Sequence, residues 1–283
     1  MDHDAIQDIE IRLLLEALYE RYGYDFRNYA MASLKRRIVH CLSECQFRHV
    51  SEIIPRLLYE GMFLKRLIQA LTVSVTEMFR DPPVYRILRQ QVIPVLRTRP
   101  FFNVWHAGCA TGEEAYSFAI LLQEESLLER ARIFVTDLDE EAIHVAREGI
   151  YPLEKVKTYT KNYQESGGTA AFSDYYHARY DRVRMDPELK KSMVFATNNL
   201  ATDAVFAETQ LIFCRNVLIY FAPALQNRVL DLFRESLTEG GFLCLGSQES
   251  LQFSGVAEQF TVVAPQERIY RKRDVKGKGG VVC

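Results

Sequence analysis

The amino-acid sequence predicts a doubly wound, mainly parallel α/β sheet, with an all-helical domain before it and a small β-subdomain inserted in it. Residues 5 to 72 place apolar side chains at helical spacing and contain no strand pattern. From residue 102 onward, short apolar strands alternate with helices, which is typical of a parallel sheet with helices on both faces. Residues 152 to 192 break that alternation with a composition rich in Tyr, Lys, Arg and Ser.

The helical domain is predicted to cover residues 1 to 80. Its first helix ends near residue 22, and its second runs from Tyr29 to Glu44. Ser51 is expected to cap a third helix that continues to Leu71 along one apolar stripe. The chain has 283 residues, which is enough to give this domain and the sheet separate cores.

The second domain is predicted to cover residues 81 to 274 and to contain the insertion at 152 to 192. A helix opens it over residues 81 to 100, beginning at a Pro pair. Residues 275 to 283, rich in Gly and Lys, are expected to form a flexible tail. Strands are expected at 102–105, 132–136, 193–196, 211–214 and 242–245, with a helix at 224–237 that the glycines at 240 and 241 stop.

Composition narrows the class of protein. The formal net charge of −2 gives no general reason to expect a nucleic-acid partner. No apolar run reaches the roughly 18 to 20 residues that cross a bilayer, and the first four residues are too acidic for a secretory signal. The six cysteines form no CxxC pair and have no His cluster beside them. We therefore expect a cytoplasmic globular protein with reduced cysteines, no metal site and no membrane insertion.

The loop after the first strand is the first candidate for ligand binding. Ligands of open α/β sheets bind beyond the carboxyl ends of the strands, and small residues from Gly108 to Gly112 would let the backbone approach a ligand there. No Lys follows, so the loop lacks the phosphate-binding GxxxxGK[ST] pattern. Glu113 and Glu114 favour a cationic or hydroxyl-bearing ligand, although a tight turn with two acids stabilising a helix would look the same.

Two further strand ends carry polar residues. Asp137 could accept hydrogen bonds from both ribose hydroxyls of an adenosyl group, because Asp139 can cap the following helix in its place. Together with the loop, this acid indicates a nucleoside-containing cofactor. Arg215 and Asn216 follow the fourth strand, where core residues are not expected. Tyr220 then places a phenol near the site, or is a buried aromatic with a satisfied hydroxyl.

Long motifs spread over about residues 7 to 272 connect these features: VTEMFR at 75–80, WHAGCATGEEAYS at 105–117, TDLD at 136–139, NL at 199–200 and IFCRNVLIYF at 212–221. They resemble the CheR family, the chemotaxis receptor glutamate methyltransferases. The resemblance implies the S-adenosylmethionine-dependent methyltransferase fold, with S-adenosylmethionine as cofactor and S-adenosylhomocysteine as product. It implies cofactor contacts at Ser74, Thr76, Arg80, Gly108, Glu114, Asp137, Asn199, Leu200, Arg215 and Asn216.

The resemblance also implies catalytic and receptor-binding residues. Arg80 and Tyr220 would flank the transferred methyl group. Lys35, Arg36 and Arg37 make the second helix basic, and the family likeness suggests that this helix faces the cytoplasmic helical bundle of a chemoreceptor. A solvated charged face would give the same run of residues. We expect a monomer, with no nucleic-acid partner.

The sequence departs from the family pattern at three places. Ser74 stands where members often have Asn, and the sequence Gly-Ser-Gln-Glu at 246–249 differs from the usual Gly-His-Ser-Glu. The segment 175–183 lacks glycines, which favours a member that does not use a receptor's C-terminal peptide as a tether. A nicotinamide-dependent oxidoreductase would normally show GxGxxG, which is absent, and a non-catalytic adaptor is the other alternative.

Overall fold

The helical domain consists of four α-helices. The computed structural model describes residues 3 to 274, so the predicted tail at 275–283 lies outside the described residues. The helices of this domain are α1 (His3–Tyr22), α2 (Met31–Cys45), α3 (Ile53–Tyr59) and α4 (Gly61–Leu71). Side chains at helical spacing, such as Leu14, Leu18, Leu34 and Ile38, meet in one buried cluster.

The third predicted helix, expected to run from Ser51 to Leu71, is divided into the two helices α3 and α4. The chain is extended at Glu60 (φ −117°, ψ 92°), immediately before Gly61, whose low helix propensity favours a break. The predicted cap at Ser51 is also wrong. A short 3₁₀ turn precedes α3, and His49 stands at its start, where the Glu52 carboxylate accepts the His49 backbone N–H at 2.8 Å.

The predicted helix over residues 81 to 100 forms with a widened turn in its middle. It begins as α5 (Pro82–Ile87), passes through a π-helical turn (Leu88–Val92) and continues as α6 (Ile93–Arg97). Pro94 has no amide hydrogen and its ring would crowd the preceding turn of an α-helix. The wider π turn leaves room for that ring, so the helix continues past the proline.

The second domain is built on a seven-stranded sheet. Its order along the sheet is β6-β2-β1-β7-β8-β10-β9, and its first five strands are parallel. The strands of the chain are β1 (Phe102–Ala107), β2 (Ala131–Asp137), β3 (Ile150–Pro152), β4 (Tyr176–Arg179), β5 (Arg182–Met185), β6 (Met193–Thr197), β7 (Thr209–Cys214), β8 (Leu237–Leu245), β9 (Phe260–Ala264) and β10 (Ile269–Lys272). The remaining helices are α7 (Glu113–Glu124), α8 (Glu140–Glu148), α9 (Val156–Glu165), α10 (Pro187–Lys190) and α11 (Pro223–Ser236).

The insertion forms the predicted small β-subdomain. Its strands pair antiparallel in the order β3-β5-β4, and α9, which lies between β3 and β4 in the chain, packs against α5. The subdomain begins with β3, slightly before the predicted start at residue 152. The predicted fold class, a doubly wound sheet with a helical domain and a β-subdomain, is confirmed.

Two features of the sheet were not predicted from the sequence. β10 runs antiparallel to both β8 and β9, so the sheet ends in an antiparallel hairpin. The glycine pair 240–241, expected to stop a helix, lies inside β8, and α11 already ends at Ser236. Gly240 has a φ of +70° and lies where the pairing of β7 with β8 shifts register, as in a β-bulge.

The two domains have separate cores, and Tyr29 packs against both the helical core and a core cluster of the α/β domain. Met78 and Phe79, which the predicted boundary at residue 80 assigns to the helical domain, are fully buried in the core of the α/β domain. Within residues 3 to 274, every cysteine is free of a disulfide. Four of them are buried and one is half-buried: Cys41, Cys109, Cys214 and Cys244, and Cys45, respectively. In the same range, no group of His, Cys, Asp or Glu is placed to hold a metal ion, and no helix is long and apolar enough to cross a bilayer.

Candidate active site

A cavity of about 400 Å³ lies at the carboxyl ends of β1, β2, β6 and β7, where the helical domain meets the sheet. Parallel strands bring their ends to one edge, so three separate sequence motifs face the same space. Nine of the ten predicted cofactor contacts line it, together with Tyr220: Ser74, Thr76, Arg80, Gly108, Glu114, Asp137, Leu200, Arg215 and Asn216.

The tenth predicted contact, Asn199, does not line the cavity. Its side-chain oxygen accepts the Ala201 N–H at 3.0 Å, and its own backbone N–H donates to Asp203 at 2.8 Å, so it holds a turn. The neighbouring Asn198 lines the cavity instead. Its Nδ2 donates to Asp203 at 2.8 Å, while its buried Oδ1 has no hydrogen-bond partner among the described residues. Because the two asparagines are adjacent, the sequence does not indicate which of them faces the cavity.

The loop after β1 requires its first glycine. Gly108 has a φ of +75°, and a Cβ there would lie 2.5 Å from Cγ2 of Val217, so no other residue fits without moving the loop. The Gly108 and Cys109 N–H groups both donate to the Thr136 carbonyl at 2.9 Å, which fixes the loop to the end of β2. The backbone therefore forms one wall of the cavity at close range.

Asp137 is oriented by the backbone on both sides. Its Oδ2 accepts the Ala110 N–H at 2.8 Å, and its Oδ1 accepts the Asp139 N–H at 3.0 Å. Asp139 caps α8 by accepting the Glu141 N–H at 3.0 Å, which confirms that Asp137 is not needed as the cap. Burial raises the pKa of Asp137, and the backbone hydrogen bonds oppose that rise. Its remaining lone pairs can accept hydroxyl donors from a ligand.

Glu114 and Arg215 form a buried ion pair beneath the cavity. Arg215 Nη1 donates to Glu114 at 2.9 Å, and its Nη2 pairs with Asp81 at 2.5 Å. His106 lies 3.1 Å from the other Glu114 oxygen. Burial alone would raise the pKa of Glu114, but the His106 hydrogen bond and the Arg215 charge lower it overall. The glutamate is therefore ionised and oriented by its neighbours.

The same guanidinium reaches the linker between the domains. Arg215 Nη1 also donates to the Arg80 carbonyl at 3.2 Å, and only 2% of the Arg215 side chain is exposed. The hydrogen bond from Arg215 thus holds the backbone of Arg80 in place. The Arg80 guanidinium itself forms no ion pair or hydrogen bond with the described part of the chain, and it lines the cavity.

The three basic residues predicted to bind the receptor do not share one surface. Arg37 is buried and lines the cavity, where its guanidinium lies 4.3 Å above the Tyr220 ring and donates to the Leu71 carbonyl. Lys35 pairs with Asp8 at 2.9 Å on α1, and Arg36 is exposed. Because Arg37 is buried, the three residues do not form one exposed basic face, as expected for consecutive residues of a helix, which point in different directions. Their role in receptor binding stays a prediction.

Tyr220 is held by the helical domain. Its carbonyl accepts the Ala30 N–H at 2.8 Å, and the Ala222 N–H donates to the Asn28 carbonyl at 2.9 Å. The edge of the Phe221 ring packs on Tyr29 with 4.8 Å between the centroids. The predicted catalytic phenol therefore lies at the seam between the two domains, beside Arg37.

Glu249 is a residue of this region to which the sequence gave no role. It follows β8 and is 4% exposed, and its carboxylate accepts five backbone N–H groups. They belong to Gly246 at 2.6 Å, Asn216 at 3.0 Å, Val217 at 2.8 Å, Leu218 at 2.7 Å and, more weakly, Ile219 at 3.4 Å. The sequence signal for this residue was an acid three residues after a glycine at a strand end. That signal does not identify its partners, which lie about 30 residues earlier in the chain.

Comparison with known proteins matches both domains. Residues 74–269 match the family model described as CheR methyltransferase, SAM binding domain, and residues 9–72 match the CheR methyltransferase, all-alpha domain. The chain is 51% identical over 273 residues to the putative methyltransferase Cher3 of Pseudomonas putida, covering 96% of this chain and all of that protein. It is 30% identical over 231 residues to the chemotaxis protein methyltransferase of Listeria innocua (81% of this chain, 85% of that one). It is 29% identical over 268 residues to the one of Escherichia coli (91% and 89%).

Proposed function

The chain belongs to the CheR methyltransferase family, and from that premise we propose that it methylates glutamate side chains of a chemoreceptor. It is an S-adenosylmethionine-dependent methyltransferase. The relatives from Listeria innocua and Escherichia coli are chemotaxis protein methyltransferases, which supports a receptor as the substrate. The proposed product is a glutamate methyl ester, formed together with S-adenosylhomocysteine.

The donor set of the cavity fits the cofactor. Asp137 offers a carboxylate for ribose hydroxyls. Asn198 and Asn216 each have a buried side-chain oxygen with no partner within residues 3 to 274, and both line the cavity. Such oxygens accept hydrogen bonds, and the adenine amino group and the methionyl ammonium of the cofactor are the matching donors. When bound, the cofactor supplies a sulfonium methyl group that a nucleophile can displace.

One observation carries the choice of a carboxylate as the acceptor. Two guanidinium groups, those of Arg37 and Arg80, line the cavity, and neither forms an ion pair with the described residues. Arg37 is buried and Arg80 is half-buried, and such cations without counter-charges attract an anion and repel the ammonium group of a lysine substrate. A glutamate carboxylate could pair with both guanidinium groups, and Tyr220, whose ring lies 4.3 Å from the Arg37 guanidinium, can donate a hydrogen bond to it.

The proposed reaction needs alignment more than acid–base chemistry. A glutamate has an ordinary pKa of about 4.3, so its carboxylate is ionised at neutral pH and requires no general base. Arg80 and Arg37 would hold the carboxylate, and Tyr220 would fix its orientation toward the methyl group. Such positioning can supply about 7 to 11 kcal/mol of a barrier at best.

The proposed partner is the cytoplasmic helical bundle of the receptor, met by a monomeric enzyme in the cytoplasm. Arg36 is the member of the basic run that is exposed on α2 without an ion pair among the described residues. We assign to it the receptor contact that was first expected of all three residues. A tether to a receptor peptide is not part of the proposal.

The decisive experiment is transfer of a radiolabelled methyl group to receptor-rich membranes from the same cells. We expect label that alkali releases as methanol, because methyl esters hydrolyse in base whereas N-methyl groups do not. Arg80→Ala should lose most turnover. Label that resists alkali, or an Arg80→Ala variant with wild-type turnover, would contradict the proposal.

A further inference from the structure

We propose that Glu249 is a positioning residue that fixes the catalytic loop, defined as Asn216–Phe221, against the cofactor cavity. The loop contributes Asn216, Ile219 and Tyr220 to the cavity wall. Glu249 lies behind it, outside the set of residues that line the cofactor cavity. The inference concerns binding in that cavity, and only its turnover readout rests on the proposed function.

The contact is a carboxylate in a ring of backbone donors. Oε1 accepts the N–H groups of Val217 at 2.8 Å, Leu218 at 2.7 Å and Ile219 at 3.4 Å, and Oε2 accepts those of Asn216 at 3.0 Å and Gly246 at 2.6 Å. The first turn of the loop is a 3₁₀ turn, whose leading N–H groups have no carbonyl partner of their own. Hydrogen bonds to an ionised acceptor are about twice as strong as neutral ones, so this carboxylate determines where the turn begins.

The anchored residue begins the loop in a left-handed conformation. Asn216 has a φ of +61°, which asparagine adopts more readily than most residues other than glycine. Its N–H donates to Glu249, and its side-chain oxygen lines the cavity. The far end of the loop is held separately, by the backbone hydrogen bonds of Tyr220 and Ala222 to the helical domain. Glu249 therefore fixes the half of the loop that the helical domain does not hold.

The packing around Glu249 provides a second, independent way to disturb the same contact. A Cβ on Gly246 would lie 2.7 Å from the Asn216 N and 2.8 Å from Glu249 Oε2, both closer than side chains tolerate. Gly246 has no left-handed φ, so alanine there acts through its crowding of Asn216 and Glu249 and not through backbone strain. Gly255 has nothing within 4 Å of its Cβ position and also no left-handed φ, which makes Gly255→Ala a matched control.

Glutamine at position 249 removes the charge at nearly constant volume. One oxygen becomes an NH₂ group that faces two N–H donors, so the loop must move away. The control is Glu124→Gln. The Glu124 carboxylate is also buried and accepts hydrogen bonds from the Tyr163 hydroxyl and the Thr169 N–H, and it pairs with Arg89, but it lies away from the cavity. Both replacements remove one buried carboxylate, and only one of them touches the catalytic loop.

The experiment measures S-adenosylhomocysteine affinity by calorimetry, kcat and KM for methyl transfer, and thermal unfolding for the four single variants and for Glu249→Gln/Gly246→Ala. We expect Glu249→Gln and Gly246→Ala each to lower the affinity about tenfold and kcat further, because Tyr220 lies on the same loop. Glu124→Gln and Gly255→Ala should keep wild-type affinity and kcat. The double variant should lose no more affinity than the single variant that binds more weakly, because both changes displace the same loop.

Three results would overturn the inference. They are wild-type affinity in Gly246→Ala, an equal loss in Glu249→Gln and Glu124→Gln, and fold-losses that multiply in the double variant. If Glu249→Gln does not fold, Gly246→Ala against Gly255→Ala decides the question. A wild-type enzyme that binds S-adenosylhomocysteine but methylates no receptor would refute the proposed substrate, while the affinity comparison would still test Glu249.

Discussion

Replacing Arg215 with methionine should destabilise the fold strongly, and more at neutral than at acidic pH. The guanidinium is 2% exposed and pairs with Glu114 at 2.9 Å and Asp81 at 2.5 Å. Removing one partner of a buried pair leaves an uncompensated charge and typically costs about 3 to 5 kcal/mol. Since a domain is stabilised by only about 5 to 15 kcal/mol, the variant would retain a small part of its stability.

The pH dependence follows from the pKa of Glu114, which lies below its ordinary value in the native chain. Its ionised carboxylate stabilises the wild-type fold above the unfolded pKa of about 4.3, and this contribution is lost as the pH falls through the folded pKa. Without Arg215, burial dominates and raises that pKa, so ionisation at neutral pH opposes folding. The deficit of the variant should therefore be larger at pH 7.5 than at pH 4.5.

Urea unfolding at the two pH values, followed by circular dichroism, measures the difference. Adding Glu114→Gln to Arg215→Met should restore part of the loss at pH 7.5, because the stranded charge is gone. Arg234→Met is the control for an exposed ion pair, and should cost no more than about 1 kcal/mol. A deficit below about 1 kcal/mol for Arg215→Met, or one that is equal at both pH values, would refute the reasoning.

Two further predictions concern binding. Asp137→Asn should weaken S-adenosylhomocysteine binding by about 1.5 to 3 kcal/mol, or roughly 10- to 100-fold, because a charge-assisted acceptor is lost. Calorimetry checks this, and an unchanged dissociation constant would remove Asp137 from the cofactor site. Arg36→Glu should weaken receptor methylation and leave S-adenosylhomocysteine affinity intact, because Arg36 is exposed on α2. Its control is Arg273→Glu, a charge reversal at an exposed residue that follows β10 in the α/β domain; equal receptor methylation by the two variants would contradict the assignment.

The sequence was sufficient for the features that local periodicity and strand ends encode. Alternating strands and helices predicted the parallel sheet, and the ends of β1, β2 and β7 predicted that Gly108, Asp137 and Arg215 would meet. Parallel strands connected by helices have their carboxyl ends on one edge, so the chain order alone brings these residues together. The same logic did not reach β9 and β10, whose antiparallel pairing depends on partners distant in sequence.

Only the tertiary structure decided which side chains face the cavity. A run of three basic residues does not say which one points inward, and Arg37 does so because Tyr220 and Leu71 lie against it. Asn198 lines the cavity in place of the predicted Asn199, and Asp203 holds the turn through hydrogen bonds from both residues. Helical or strand periodicity fixes a residue's direction relative to its own element, whereas the orientation of that element depends on what packs against it.

Glu249 illustrates the same limit over a longer distance. Its sequence neighbours give no reason to connect it with residues 216 to 218, and only the parallel pairing of β7 with β8 brings the two strand ends together. The sequence alone determined which strand ends form the site and in which order the strands and helices follow along the chain. The folded chain determined which buried charges are paired, because an ion pair or a ring of hydrogen bonds exists only where the packing of distant segments excludes water.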